Sequence, residues 1–152
     1  MTDAIRTVED RLALRGLVDR YASAVDRRDV PGAAALFSAE GRLVAHFGPG
    51  TDDDPVVRTG RDDVAAALEA GLARYQATTH LVGGHVVELD GDTAAGETTC
   101  LAHHVYDRAG ERRLYVIAVR YADRYERGPG GWLFAERRLR LDWSDDRPLV
   151  GR

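Results

Sequence analysis

The 152-residue chain reads as an α+β domain: three N-terminal helices packed into a strongly curved antiparallel sheet, a cone that encloses a pocket. Two observations predict this. As far as about Tyr75, apolar residues mostly recur at helical spacing; from Thr78 onward come four long strand-like runs joined by turn-forming segments. Helices first and a meander after them is the α+β order. With no internal repeat and no linker, residues 1–152 read as one domain.

The first helix spans about Val8 to Arg27. Leu14, Leu17, Val18, Tyr21, Ala22 and Val25 form its apolar stripe, while Arg15, Asp19 and Arg20 take the outer face. Asp29 before Val30-Pro31 reads as the N-cap of a short second helix reaching Phe37, with proline in its first turn. Gly41 is expected to end that piece, and Arg42 to Phe47 has strand character. Gly48 to Pro55 is a loop by composition. A third helix is expected from about Arg61 to Tyr75, with Val64, Leu68 and Leu72 on one side. The strand runs are Thr78–Leu89, Thr93–Tyr106, Arg112–Glu126 and Gly131–Trp143, joined by DGD, DRAGE and RGPGG. A meander this long must curl, and the helices are its only cover, so a cavity is expected at the wide end.

Composition narrows the function. Net charge is -4 and no basic stripe is visible, which argues against a nucleic-acid partner. No apolar run approaches the roughly 20 residues of a membrane span, and the charged N-terminus lacks a signal-peptide core, so a cytoplasmic protein is expected. A lone cysteine, Cys100, permits no internal disulfide. All 21 basic residues are Arg, so Schiff-base chemistry and a P-loop lysine are excluded. Ser23, Ser38 and Ser144 lack a nucleophile-elbow context.

Several polar residues stand out against their surroundings. Tyr21 lies mid-stripe, so its ring faces the interior, as a core tyrosine or something more. Asp26 lies near the C-terminus of the first helix, where a carboxylate opposes the helix dipole. His80 opens the first long strand in TTHLVGGH, and Gly83-Gly84 after it suggests a bulge. In the last strand Leu133, Ala135, Arg137, Leu139 and Leu141 alternate with Trp132, Phe134, Glu136, Arg138, Arg140 and Asp142. Arg137 therefore falls on an apolar face and needs a carboxylate, Asp26 being one candidate, or an anionic ligand. His103 shares parity with Leu101 and Val105, and His104 with Cys100, Ala102 and Tyr106; both faces are mostly uncharged, so alternation leaves open which histidine faces the cavity. Asp26, His80 and His103 carry donor atoms suited to zinc or non-haem iron but lack local ligand spacing, and no metal is expected.

The segments VDRYASAVDRRD, TTHLVGGH, CLAHHVY and GGWLFAERRLRL, in this order, resemble the SnoaL-like members of the nuclear-transport-factor-2-like superfamily. These members include scytalone dehydratase, lindane dehydrochlorinase and bile-acid 7α-dehydratase; the likeness spans about residues 7–143. The resemblance implies that Asp26 orients His80 as the proton-abstracting base. It implies that Tyr21 is a catalytic tyrosine, that His103 assists a leaving hydroxyl on the substrate, and that Arg137 assists the leaving group. The expected function is a cofactor-independent, dehydratase-like lyase acting on a small cyclic, polyketide-like or steroid-like molecule. Isomerisation, cyclisation and binding without catalysis are the alternatives. Relatives form dimers or trimers, so a homodimer or homotrimer is expected.

Overall fold

The computed structural model describes residues 3–46 and 54–151. Its elements, in order, are α1 (Asp3–Asp26), α2 (Val30–Ala35), β1 (Phe37–His46), β2 (Val56–Thr59), α3 (Arg61–Leu72), β3 (Ala77–Asp90), β4 (Thr93–Arg108), β5 (Glu111–Gly128) and β6 (Gly131–Pro148). The expected loop Gly48–Pro55 falls mostly outside the described residues.

The helix stripe behaves as periodicity demands: Leu14, Leu17, Val18, Tyr21, Ala22 and Val25 are all buried. Helix α1 nevertheless starts five residues before the expected Val8. Its first half is tied to the far hairpin, because Asp10 accepts from the Trp132 indole (2.9 Å) and from Arg127 (2.8 Å). Asp29 caps α2 as expected, accepting from the Gly32 backbone N–H at 3.0 Å.

The sheet has the order β2-β1-β6-β5-β4-β3. The four long strands pair antiparallel as a meander. The sheet as a whole is mixed, since β1 runs parallel to β6 and β2 runs antiparallel to β1. Strand β2 has no counterpart in the sequence reading, being four mostly exposed residues without apolar alternation. Gly41 lies inside β1 and does not end a helix. A Cβ there would come within 2.8 Å of the Phe134 carbonyl oxygen, so only glycine lets β1 approach β6.

Two irregularities set the site. Pairing of β3 with β4 shifts between Val82 and His85, at the bulge suggested by Gly83-Gly84. There a Gly83 Cβ would meet the Thr99 hydroxyl at 2.8 Å. Pairing of β5 with β6 shifts between Arg124 and Tyr125, opposite Ala135. The extra residue reverses side-chain parity. Trp132 and Phe134, not Leu133 and Ala135, therefore share the inner face with Arg137.

The core joins the α1 stripe to Phe37, Tyr125 and Phe134. Helices α1 and α3 cover one face of the sheet, and between them lies a cavity to which all six strands contribute side chains.

Candidate active site

The cavity holds about 750 Å³. Its walls are chiefly aliphatic, with Leu43, Leu68, Ile117, Leu139 and Leu141 among them. The polar groups reaching it include Tyr21, His80, His104, Tyr115 and Tyr121; no carboxylate among the described residues lines it. An apolar chamber with a few convergent polar groups is the usual form of a small-molecule site.

Asp26 and His80 meet at its edge. The His80 Nδ1 lies 2.7 Å from Asp26 Oδ1, and the His80 backbone N–H donates to Oδ2 at 2.8 Å. The Thr78 hydroxyl adds a third bond at 3.0 Å. A carboxylate only accepts, so Nδ1 carries a proton, and in the neutral ring the lone pair is left on Nε2. Burial opposes the charge on Asp26, but the bonds from the His80 ring and backbone prevail and hold the carboxyl below its usual range.

The backbone after α1 makes this geometry possible. Arg28 takes the left-handed conformation that ends the helix (φ 61°), a position glycine usually fills. Its guanidinium bonds Thr78 Oγ1 at 2.9 Å and the Tyr75 carbonyl at 3.1 Å, tying the helix end to the start of β3. The expected dyad is thus clamped from both elements.

The other candidates are placed differently. Tyr21 lines the cavity, with burial raising its phenol pKa so that it stays protonated. Of the histidine pair it is His104 that lines the cavity, its ring centroid 6.0 Å from that of His80. Burial first, and then repulsion from His80 in its protonated form, lower its pKa to about 4, keeping it neutral. His103 is turned to the other face of β4, where Nδ1 stands 3.3 Å from the Thr79 carbonyl; the pocket role expected of it does not fit that place. Asp26, His80 and His103 therefore do not converge, and among the described residues no cluster of three metal-ligating side chains occurs.

Arg137 is buried as expected, at 1% exposure, but its carboxylate partner is Asp123, not Asp26. The two are cross-strand neighbours, with Nε 3.5 Å from Oδ1, too long for a good hydrogen bond. Arg137 is not among the cavity-lining side chains. Its guanidinium packs behind the rings of Tyr21 (4.4 Å), Tyr121 (3.7 Å) and Phe134 (4.6 Å), so direct contact with a leaving group does not fit its place. Asp123 was legible by the same logic as Arg137. Tyr115, Ile117, Val119, Tyr121, Asp123 and Tyr125 share one parity of β5, and a carboxylate among them is as odd as an arginine on β6. Burial pushes Asp123 up to about 6, against the pull of Arg137. Cys100, behind the cavity, is raised to about 11 by burial, which leaves its thiol un-ionised.

The SnoaL-like domain family matches residues 6–138, most of the chain. This protein is a member of that family. The protein Rv2910c of Mycobacterium tuberculosis is 26% identical over 136 residues, covering 88% of this chain and 86% of its own. Among solved structures, a scytalone dehydratase-like protein of Novosphingobium aromaticivorans superposes with a TM-score of 0.79 at 24% identity, covering 99% of both chains. A hexachlorocyclohexane dehydrochlorinase of Novosphingobium barchaimii superposes with a TM-score of 0.78 at 21% identity, covering 99% of this chain and 97% of that one. At these identities the two structural likenesses establish the shared fold, which carries more than one chemistry. Among the described residues of this SnoaL-like protein, no helix is long and apolar enough to cross a membrane.

Proposed function

We propose that this SnoaL-like protein is a cofactor-independent lyase that dehydrates a small, largely apolar, cyclic molecule. His80, oriented by Asp26, is the base. The observation that carries the reading is the clamp on His80: Asp26 takes its ring N–H at 2.7 Å and its backbone N–H at 2.8 Å, beside an apolar cavity that the ring also lines. A carboxylate that fixes tautomer and ring together leaves Nε2 as a pre-aimed acceptor.

In the proposed reaction, Nε2 of His80 removes a proton from a substrate carbon. The C–H electron pair forms the new double bond and the neighbouring C–O bond breaks, the departing hydroxyl taking the proton back from His80 Nε2 and leaving as water. The protonated Tyr21 phenol supplies a hydrogen bond to the departing hydroxyl or to a developing oxyanion. Scytalone dehydratase-like and dehydrochlorinase neighbours support elimination as the class.

The test is turnover of a panel of β-hydroxy ketones and cyclic alcohols by the parent and by His80→Ala, with a thermal melt of each. The variant should keep its fold and lose about 10²–10⁴-fold of the turnover found, the usual worth of a positioned base. Equal turnover by both would remove His80 from the mechanism. A parent that binds these ligands and turns over none of them would make the protein a binding module.

A further inference from the structure

Most side chains that line the cavity are buried or half-buried. The exposed lining residues are Val56 and Arg58 on β2, with Ala70, Gly71 and Arg74 in and just past the last turn of α3. Among the described residues, the rim of the cavity therefore lies between β2 and the end of α3, two elements that pack together. An arginine stands on each side of it. Strand register puts Arg58 on the cavity side: it pairs with Leu43 and Val56 pairs with Ala45, both of which line the cavity. Opposite, the Arg74 guanidinium lies 4.7 Å from the centroid of the Tyr75 ring and donates to its phenol oxygen. From there a row of rings leads to the base. Tyr75 and His104 are 4.5 Å apart between centroids, and His104 and His80 are 6.0 Å apart.

The charge of this rim is uncompensated. Arg42 and Arg138 are held by Glu136 at 3.3 and 2.9 Å, and Arg113 is held by Asp146 at 2.9 Å. Arg58 donates to the Val57 carbonyl at 3.0 Å and Arg74 to the Tyr75 phenol, and among the described residues neither forms an ion pair. No described carboxylate lines the cavity, and Asp26 opens to a separate cleft beside Arg15, Asp19 and Arg27. A concave wall carrying charge of one sign focuses its field and concentrates ligands of the other. Guanidinium groups suit carboxylate and phosphate in particular, because their N–H fork matches paired oxygens. A cationic rim over an aliphatic interior fits a molecule that is apolar at one end and anionic at the other.

We propose that Arg58 and Arg74 form an anion-recognising rim, and that the substrate is an apolar ring carrying a carboxylate or phosphate at the end remote from the C–H that His80 attacks. This rests on the cavity being the substrate site of the proposed lyase and narrows the class of molecule it takes. Neither arginine takes part in the bond changes. They decide which molecules enter and which end stays at the rim, where the anion keeps part of its hydration and its burial costs little.

The probes are 2-naphthoate, 2-naphthyl phosphate and the neutral 2-naphthamide, which share one ring system, with binding followed by calorimetry. At low ionic strength the parent should bind at least one anion about 20-fold more tightly than the amide, the scale of two exposed ion pairs, and salt should shrink that preference. The tighter of the two anions identifies the group. Arg58→Gln and Arg74→Gln should each weaken binding of that anion about fivefold and leave the amide unchanged, with a thermal melt of each variant to check folding. His80→Ala should keep the anion preference, which tests the rim whether or not His80 is the base. Amide bound by the parent as tightly as both anions overturns the proposal. So does an undiminished anion preference in folded Arg58→Gln and in the folded double variant of Arg58→Gln with Arg74→Gln, even if His80 proves essential for turnover.

Discussion

Two carboxylate–cation pairs flank the same cavity and are built in opposite ways. Asp26 and His80 are only partly exposed, with side-chain exposures of 24% and 9%, at its edge, where Asp26 accepts three hydrogen bonds of 2.7–3.0 Å. Asp123 and Arg137 are sealed behind its floor at 3.5 Å, and three of their polar atoms have no partner. The first pair spends its hydrogen bonds on holding one ring in one tautomer, which is what proton transfer requires. The second leaves a cation incompletely satisfied, and that charge is shared with the faces of Tyr21, Tyr121 and Phe134. Bonding that is complete gives direction, while bonding that is incomplete leaves a field to act on neighbours.

The largest expected contrast is in stability. Asp123→Ala leaves Arg137 buried without its carboxylate and should destabilise the fold by about 3–5 kcal/mol in urea unfolding. A double change, Asp123→Leu with Arg137→Met, should cost less than that single one, because no buried charge remains. A double variant less stable than Asp123→Ala would mean that the pair contributes net stability and that the contrast is drawn wrongly.

Acid should act next, through His104, whose ring lies beside that of His80. Its pKa in the fold is about 4 against 6.5 for the free side chain. As pH falls below 6.5 the unfolded chain takes up the proton first, so stability drops until the folded ring also protonates near 4. The loss is at most about 3 kcal/mol by linkage. His104→Gln should flatten the unfolding free energy across that window. A variant whose profile keeps the parent's slope would assign the acid sensitivity to other groups.

The smallest stability effect belongs to the open pair. Asp26→Asn keeps most of the shape and should lower stability by about 1–2 kcal/mol, the scale of a half-buried charge-assisted bond. Turnover should fall by up to as much as in His80→Ala, because the amide no longer enforces the tautomer. If Asp26→Asn melts as far below the parent as Asp123→Ala, the two pairs are alike in kind and the open one is structural.

Much of this was legible in the sequence, for identifiable reasons. The α1 stripe, the Asp29 cap and the hairpin links are local signals, set by side-chain periodicity and turn chemistry within a few residues. Arg137 was visible because a charge on an apolar face is conspicuous, and Asp123 carries the same signal on β5. Alternation failed at His103 and His104 because both faces of β4 there lack charge, so period two offers no contrast. Strand β2 was missed because it pairs along one edge only and buries almost nothing.

The sequence by itself determined which side chains are helical, which are extended and which are misfits where they stand. Partnership was decided by tertiary structure. A one-residue bulge opposite Ala135 shifts the β5–β6 register and sets Asp123 across from Arg137. The parallel docking of β1 on β6 and the left-handed turn at Arg28 bring α1 to β3, so that Asp26 reaches a histidine 54 positions away. Such contacts depend on register and chain reversal over long separations, where a shift of one residue turns every side chain to the other face.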